Sequence, residues 1–178
     1  KAGSASCDET SASAPYQNRR MVDAPLTLLA VLMRHGVPFV VIGGHAVGVH
    51  GYPRATQDTD LVFARSPEAE KALLAALDEL HAVWISNEKD PATGWERQVP
   101  VTLAYIQGHP IMWLMTDLGF LDIMDHVPGL PEASVQDLVA EAIEINGLRY
   151  ASRPWLIRMK MAAGRTKDLL DIEELEKD

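Results

Sequence analysis

The first strongly patterned stretch lies between Ala24 and His35, where Leu26, Leu28, Leu29, Val31, Leu32 and Met33 have the spacing of a buried helix. Gly36 and Pro38 stop it. Pro38-Phe39-Val40-Val41-Ile42 follows as a short apolar run rich in β-branched residues, the pattern of a buried strand, and Gly43-Gly44 ends it abruptly. His45 to His50 reads as one or two helical turns closed by Gly51 and Pro53. A second strand begins near Asp58, and its period of two turns Asp58 and Asp60 to one face and Thr59 to the other. Ser66-Pro67-Glu68 then opens a helix running to about Leu80, with Ser66 as the cap, Pro67 at the first position and acid at the positive dipole end. Ala82 to Ile85, Val99 to Ile106 and Ile111 to Met115 are predicted strands, with a polar loop from Asn87 to Gln98. Glu141 to Tyr150 is a hairpin on Asn146-Gly147. A helix from Ser152 through Trp155 to Ala163 is separated by Gly164 from a final acid-rich helix, Lys167 to Glu176, and no internal repeat is visible.

The chain has 178 residues, 47% of them hydrophobic, which is enough for one domain with a proper core; that domain is expected over 21–178. Residues 1–20 are small and polar, and are expected to form a tail of little order: a tag remnant, a processed end or a native extension, with Met21 fitting an original start. A net charge of -9 argues against an extended surface for duplex nucleic acid but not against a single RNA terminus met by local cations. The single cysteine, Cys7, excludes an internal disulfide framework and suits a reducing cytoplasm. No apolar run approaches the ~20 residues needed to span a bilayer, and the N-terminus lacks a signal-peptide core, so no membrane partner is expected.

The candidate chemistry lies between the first two strands. A glycine pair after a strand lets the backbone turn sharply and a ligand approach closely, and a helix opening there points unsatisfied N–H groups at the loop, as phosphate binding requires. His45 belongs to that turn through its backbone N–H. Asp58 and Asp60 on one face give hard oxygen ligands for magnesium, and two such ions about 3.5–4 Å apart can activate an attacking oxygen while neutralising triphosphate charge. An isolated pair of carboxylates is more simply a cap or a salt-bridge partner, and the preceding diglycine is what favours the metal reading. Arg54 and Thr56, in the loop between, are placed to reach a triphosphate or brace Asp58. The histidines His45 and His50 lack the further ligands a zinc site needs and read as packing residues. Trp95 either stacks on a base at the rim of the site or, more simply, packs on its own domain.

Gly43-Gly44-His45-Ala46-Val47 followed by Gly51-Tyr52-Pro53-Arg54-Ala55-Thr56-Gln57-Asp58-Thr59-Asp60 resembles the nucleotidyltransferase superfamily typified by DNA polymerase beta. It looks most like the small bacterial AbiEii-type and minimal nucleotidyltransferase proteins of toxin–antitoxin systems. Arg158-Met159-Lys160-Met161-Ala162-Ala163 and Arg165-Thr166-Lys167-Asp168-Leu169-Leu170-Asp171 resemble that group's C-terminal segments, so the likeness runs from about Phe39 to Asp171. It implies an α/β fold of the polymerase beta type, a mixed sheet flanked by helices. It also implies a third carboxylate on a neighbouring strand. Asp122, inside the apolar run Gly119 to Asp125, is the candidate; Asp125 falls on the opposite face near the strand end, where solvent exposure accounts for it. Lys160 matches the lysine taken to hold nucleotide phosphate, with Lys167 and Asp168 as further nucleotide-binding candidates. Asp168 could instead orient Lys160 or Arg165, Arg158 and Arg165 read as a solvated helix face, and Asp171 reads as structural.

The function implied is magnesium-dependent transfer of a nucleoside monophosphate from an NTP such as ATP, with two ions held by Asp58, Asp60 and Asp122 and a triphosphate seated on Gly43 and Gly44. The acceptor expected is a tRNA 3′ end or a hydroxyl of a partner protein, within a toxin–antitoxin pair; an aminoglycoside-like molecule is the third choice. A non-catalytic interaction module of the same fold is the rival, although such a module has no need of three converging carboxylates.

Overall fold

The computed structural model describes residues 14–177, with side chains from Ala24 onward. Helix α1 (Ala14–Arg34) takes in the end of the segment expected as a tail; the rest of that expectation falls on residues outside the described part. The chain then alternates strand β1 (Phe39–Val41), helix α2 (Gly43–Val49), strand β2 (Asp58–Phe63) and helix α3 (Pro67–Glu79). Strands β3 (Val83–Lys89) and β4 (Glu96–Pro100), helix α4 (Leu103–Gly108) and strands β5 (Ile111–Thr116) and β6 (Gly119–Met124) follow. Helix α5 (Val135–Ala140), strands β7 (Ile143–Ile145) and β8 (Leu148–Tyr150), and helices α6 (Arg153–Ala163) and α7 (Thr166–Leu175) complete it.

The eight strands among the described residues join one mixed sheet in the order β4-β3-β5-β6-β2-β1-β8-β7. β2 lies at its centre, antiparallel to β1 and parallel to β6, and this parallel pair sets the site, because Asp60 is in register with Asp122. Thr59, Leu61 and Phe63 of β2, Leu121 and Ile123 of β6, and Met112 and Leu114 of β5 alternate to the opposite face and are buried in the core. Helix α1 contributes Leu28, Leu29 and Leu32 to the same core, and α3 contributes Leu73 and Leu77. No helix among the described residues is long and apolar enough to cross a membrane.

Several local signals act as their chemistry requires. The Ser66 hydroxyl accepts from the Ala69 N–H at 3.1 Å to open α3. Asn146 and Gly147 both take positive φ in the turn joining β7 to β8. Two expectations fail. The predicted strand Val99 to Ile106 ends at Pro100, because the Thr102 hydroxyl accepts from the Tyr105 N–H at 3.2 Å and starts α4. The predicted loop Asn87 to Gln98 is largely a hairpin, since β3 continues to Lys89 and pairs with Glu96, and Trp95 at its tip stays exposed instead of packing on the domain.

Candidate active site

Asp58, Asp60 and Asp122 each place a carboxylate oxygen within 4.8 Å of the others. Cross-strand register explains the meeting: Asp60 pairs with Asp122, Asp58 pairs with Phe120 two residues earlier on each strand, and side chains two apart on a strand share a face. Asp125, by contrast, turns to Arg65, whose Nε donates to its Oδ2 at 3.0 Å. It is held by an ion pair and is not simply solvent-exposed.

Gly43 adopts φ +63, and a Cβ there would lie 1.9 Å from Asp60 Oδ2, so only glycine lets the turn close over the carboxylate. A Cβ on Gly44 would meet Thr56 at 3.0 Å. The Thr56 hydroxyl donates to Asp58 Oδ1 at 3.1 Å and so fixes the orientation of that carboxylate. These residues open onto a cavity of about 350 Å³ that Lys160, Arg165 and Lys167 complete from the C-terminal helices. His45 does not line it; burial lowers its pKa, partly offset by the charge of Asp58. His50 is a packing residue, its Nε2 lying 2.8 Å from the Ala151 carbonyl oxygen.

The cations are less free than their sequence positions suggest. Lys160 is only 6% exposed, and its Nζ lies 2.7 Å from Asp171 and 3.2 Å from Asp168. Arg54 donates through Nε and Nη2 to both oxygens of Asp171 at 2.7 and 2.8 Å, a bidentate pair across 117 residues of chain. Arg165 grips Asp168 in turn, donating from Nε at 2.6 Å. Asp168 and Asp171 are fully buried, and neither lines the cavity. Burial pushes both carboxyls up, but the bonds from Arg165 and Lys160 to Asp168, and from Arg54 and Lys160 to Asp171, together hold them below the usual range. Asp171 is therefore a hub of the site that local sequence pattern presents as one more helix acid, and Arg165 is more than a solvated face. Lys167 reaches the cavity.

Burial first, and neighbouring negative charge second, raise Asp60 to about 6; burial, then Asp60 and Asp58, raise Asp122 to about 6. Hard divalent cations take oxygen donors, and this all-carboxylate set at this spacing fits one.

No protein-family model matches the sequence, and no curated protein does. Solved structures do match. An antigenic nucleotidyltransferase-like protein from Paracoccidioides brasiliensis aligns at TM-score 0.50 and 18% identity, over 89% of this chain and 75% of that one. The antibiotic-resistance factor ANT(2'')-Ia aligns at TM-score 0.50 and 17% identity, over 90% of this chain and 83% of its own. The fold is that of the nucleotidyltransferases. The Megavirus polyadenylate synthase shares it at TM-score 0.50 and 12% identity, with 98% of this chain covering 39% of the viral one. At these identities the likeness concerns the nucleotidyltransferase fold, into which the Asp58, Asp60 and Asp122 cluster is built.

Proposed function

We propose that this chain is a metal-dependent nucleotidyltransferase, moving a nucleoside monophosphate from an NTP to an acceptor hydroxyl. One observation carries the reading: three carboxylates from the paired strands β2 and β6 converge in a cavity that Gly43 and Gly44 keep clear of side chains. The triphosphate lies against that turn, where no Cβ intrudes. Arg165 and Lys167 line the same cavity, and Lys160, held by Asp168 and Asp171, adds a buried positive charge to its lining. Asp58, Asp60 and Asp122 would hold magnesium, two ions in the fuller form of this reading, and the metal would supply charge neutralisation at the phosphate oxygens. Asp122 takes the proton of the acceptor hydroxyl as its oxygen attacks the α-phosphorus in line; the bond to the β-phosphate oxygen breaks and pyrophosphate leaves. Thr56 keeps Asp58 aimed throughout. ATP as donor, a tRNA 3′ end or partner-protein side chain as acceptor and a toxin–antitoxin partner belong to the same reading, supported by the sequence resemblance, and the single cysteine suits a cytoplasmic setting.

The test is incubation of purified protein with each NTP labelled at the α-phosphate, magnesium and total cell extract, beside an Asp58→Ala/Asp60→Ala control. Label on an acceptor that requires the intact aspartates is the expected result. Absence of label with every nucleotide, together with no magnesium-dependent NTP binding, would leave a non-catalytic interaction module. Label on an added aminoglycoside alone would assign the acceptor to small molecules.

A further inference from the structure

The carboxylate face of the sheet does not end at the carboxylates. Trp113 of β5 is in register with Asp122 and hence with Asp60, and Met115 is in register with Phe120 and hence with Asp58. Cross-strand partners point the same way, so Trp113, Phe120 and Met115 continue the face outward by one and two strands. Trp113 is 67% exposed and Phe120 is 52% exposed, although neighbouring positions on the same strands are fully buried. With Ile85 and Tyr105 they line a groove of about 460 Å³ that shares Asp58, Trp113 and Asp122 with the nucleotide cavity. Through Ile85 the groove meets a shallow recess beside Lys89 and Trp95, the latter 78% exposed at the tip of the β3–β4 hairpin.

Two openings therefore flank one carboxylate cluster. The first has the glycine turn and the cations, which suit the charged donor. The second holds no lysine or arginine, and no carboxylate beyond the cluster itself, yet it is walled by aromatic rings. Such a wall selects flat, uncharged ring systems by stacking, and it offers nothing to a polycationic acceptor, whose amines need acids of their own. Aromatic residues exposed on a sheet face, spaced along a track longer than one ring, are the means by which unpaired bases are held. A net charge of -9 makes gripping a duplex backbone unfavourable, whereas stacking makes little demand on charge. Unpaired loops and ends are the parts of RNA that proteins recognise by such stacking.

We infer that the acceptor is an unpaired RNA 3′ end whose terminal base stacks on the Trp113–Phe120 shelf, with its ribose hydroxyl at Asp122 and the preceding nucleotides running toward Ile85 and Trp95. This rests on the nucleotidyl-transfer reading and narrows its acceptor. The recess at the far end of the track sets Lys89 opposite Glu96, so few phosphate charges are neutralised there and the binding depends only weakly on salt.

The experiment is fluorescence anisotropy of a 5′-labelled single-stranded RNA decamer with a free 3′-hydroxyl, in magnesium, against a blunt RNA hairpin of equal length. Wild type is compared with Phe120→Ala, Trp95→Ala and the ring-preserving Phe120→Trp, and NTP affinity is measured in parallel. The expected result is binding of the single strand but not the hairpin, weakened roughly tenfold or more by Phe120→Ala, restored by Phe120→Trp, with NTP affinity held. Equal binding of single strand and hairpin, or unchanged binding by Phe120→Ala and Trp95→Ala, overturns the shelf. A second copy of the chain covering Phe120 in solution, seen by sedimentation, also overturns it. Transfer to a protein or aminoglycoside that Phe120→Ala leaves intact overturns the acceptor assignment alone. Failure of transfer to every acceptor, with RNA still bound through Phe120, overturns the transferase reading and leaves the stacking site standing.

Discussion

Gly43 is the residue on which the site is most finely balanced. An alanine there combines a left-handed backbone, which costs a residue with a Cβ about 1–2 kcal/mol, with an atom driven to within 1.9 Å of Asp60. Gly43→Ala is expected to displace the Asp60 carboxylate and abolish magnesium-dependent NTP binding; calorimetric titration reads it, and wild-type affinity in that variant would refute the close approach. The carboxylates oppose folding on their own account. Asp60 and Asp122 are raised to about 6 in the folded protein, so in chelator the native state binds more protons than the unfolded chain between roughly pH 4 and 6. Their contribution is most favourable below the unfolded pKa and is lost as pH rises through about 6. Asp60→Asn should therefore raise the melting temperature in EDTA at pH 7.5 by a few degrees, and the gain should vanish near pH 4. A gain that persisted at pH 4 would mean that packing, not charge, is responsible.

At the scale of elements, α7 is the clamp. Asp171 holds Arg54 in the loop before β2 and Lys160 in α6, and all three meet where water is largely excluded. Asp171→Ala leaves a buried lysine with one partner and an arginine with none of its paired acid, so urea unfolding should register a loss of about 3–5 kcal/mol. Arg165→Ala removes a side chain that is more than half exposed but also one donor to the buried Asp168, which keeps Lys160 and the Arg165 backbone N–H; it should cost about 1–3 kcal/mol, less than Asp171→Ala, while weakening NTP affinity. If the two variants were equally stable, the buried network would not be what fixes the C-terminal helices. This clamp also marks where sequence stops being legible. The strands that carry Asp58, Asp60 and Asp122 follow from apolar runs, glycine stops and a period of two, because these are local properties. The pairing of Arg54 with Asp171 is set by how α7 docks, which no window of neighbouring residues contains. Val99 to Ile106 reads as a strand because its apolar residues outweigh a single capping threonine, Thr102. The β3–β4 hairpin reads as a loop because its outer residues are polar and exposed, without an apolar face to announce it.

For the whole molecule, ion binding and stability are one equilibrium. An ion present at a hundred times its dissociation constant stabilises the native state by about 2.7 kcal/mol, which for a chain of this size is several degrees of melting temperature. Magnesium should produce that shift in the wild type and none in Asp58→Ala/Asp60→Ala; an equal shift in both would place the ion elsewhere. The bond from Arg54 to Asp171 has a bearing on biosynthesis as well. A ribosome adding about 5–20 residues per second takes roughly 6–25 s to travel from one to the other. For most of that interval the strand bearing Asp58 and Asp60 has been made while the helix that closes the cavity around it has not. A nascent chain therefore carries its acids long before it carries a pocket, and a product truncated before α7 keeps the carboxylates but not the enclosure that gives them work.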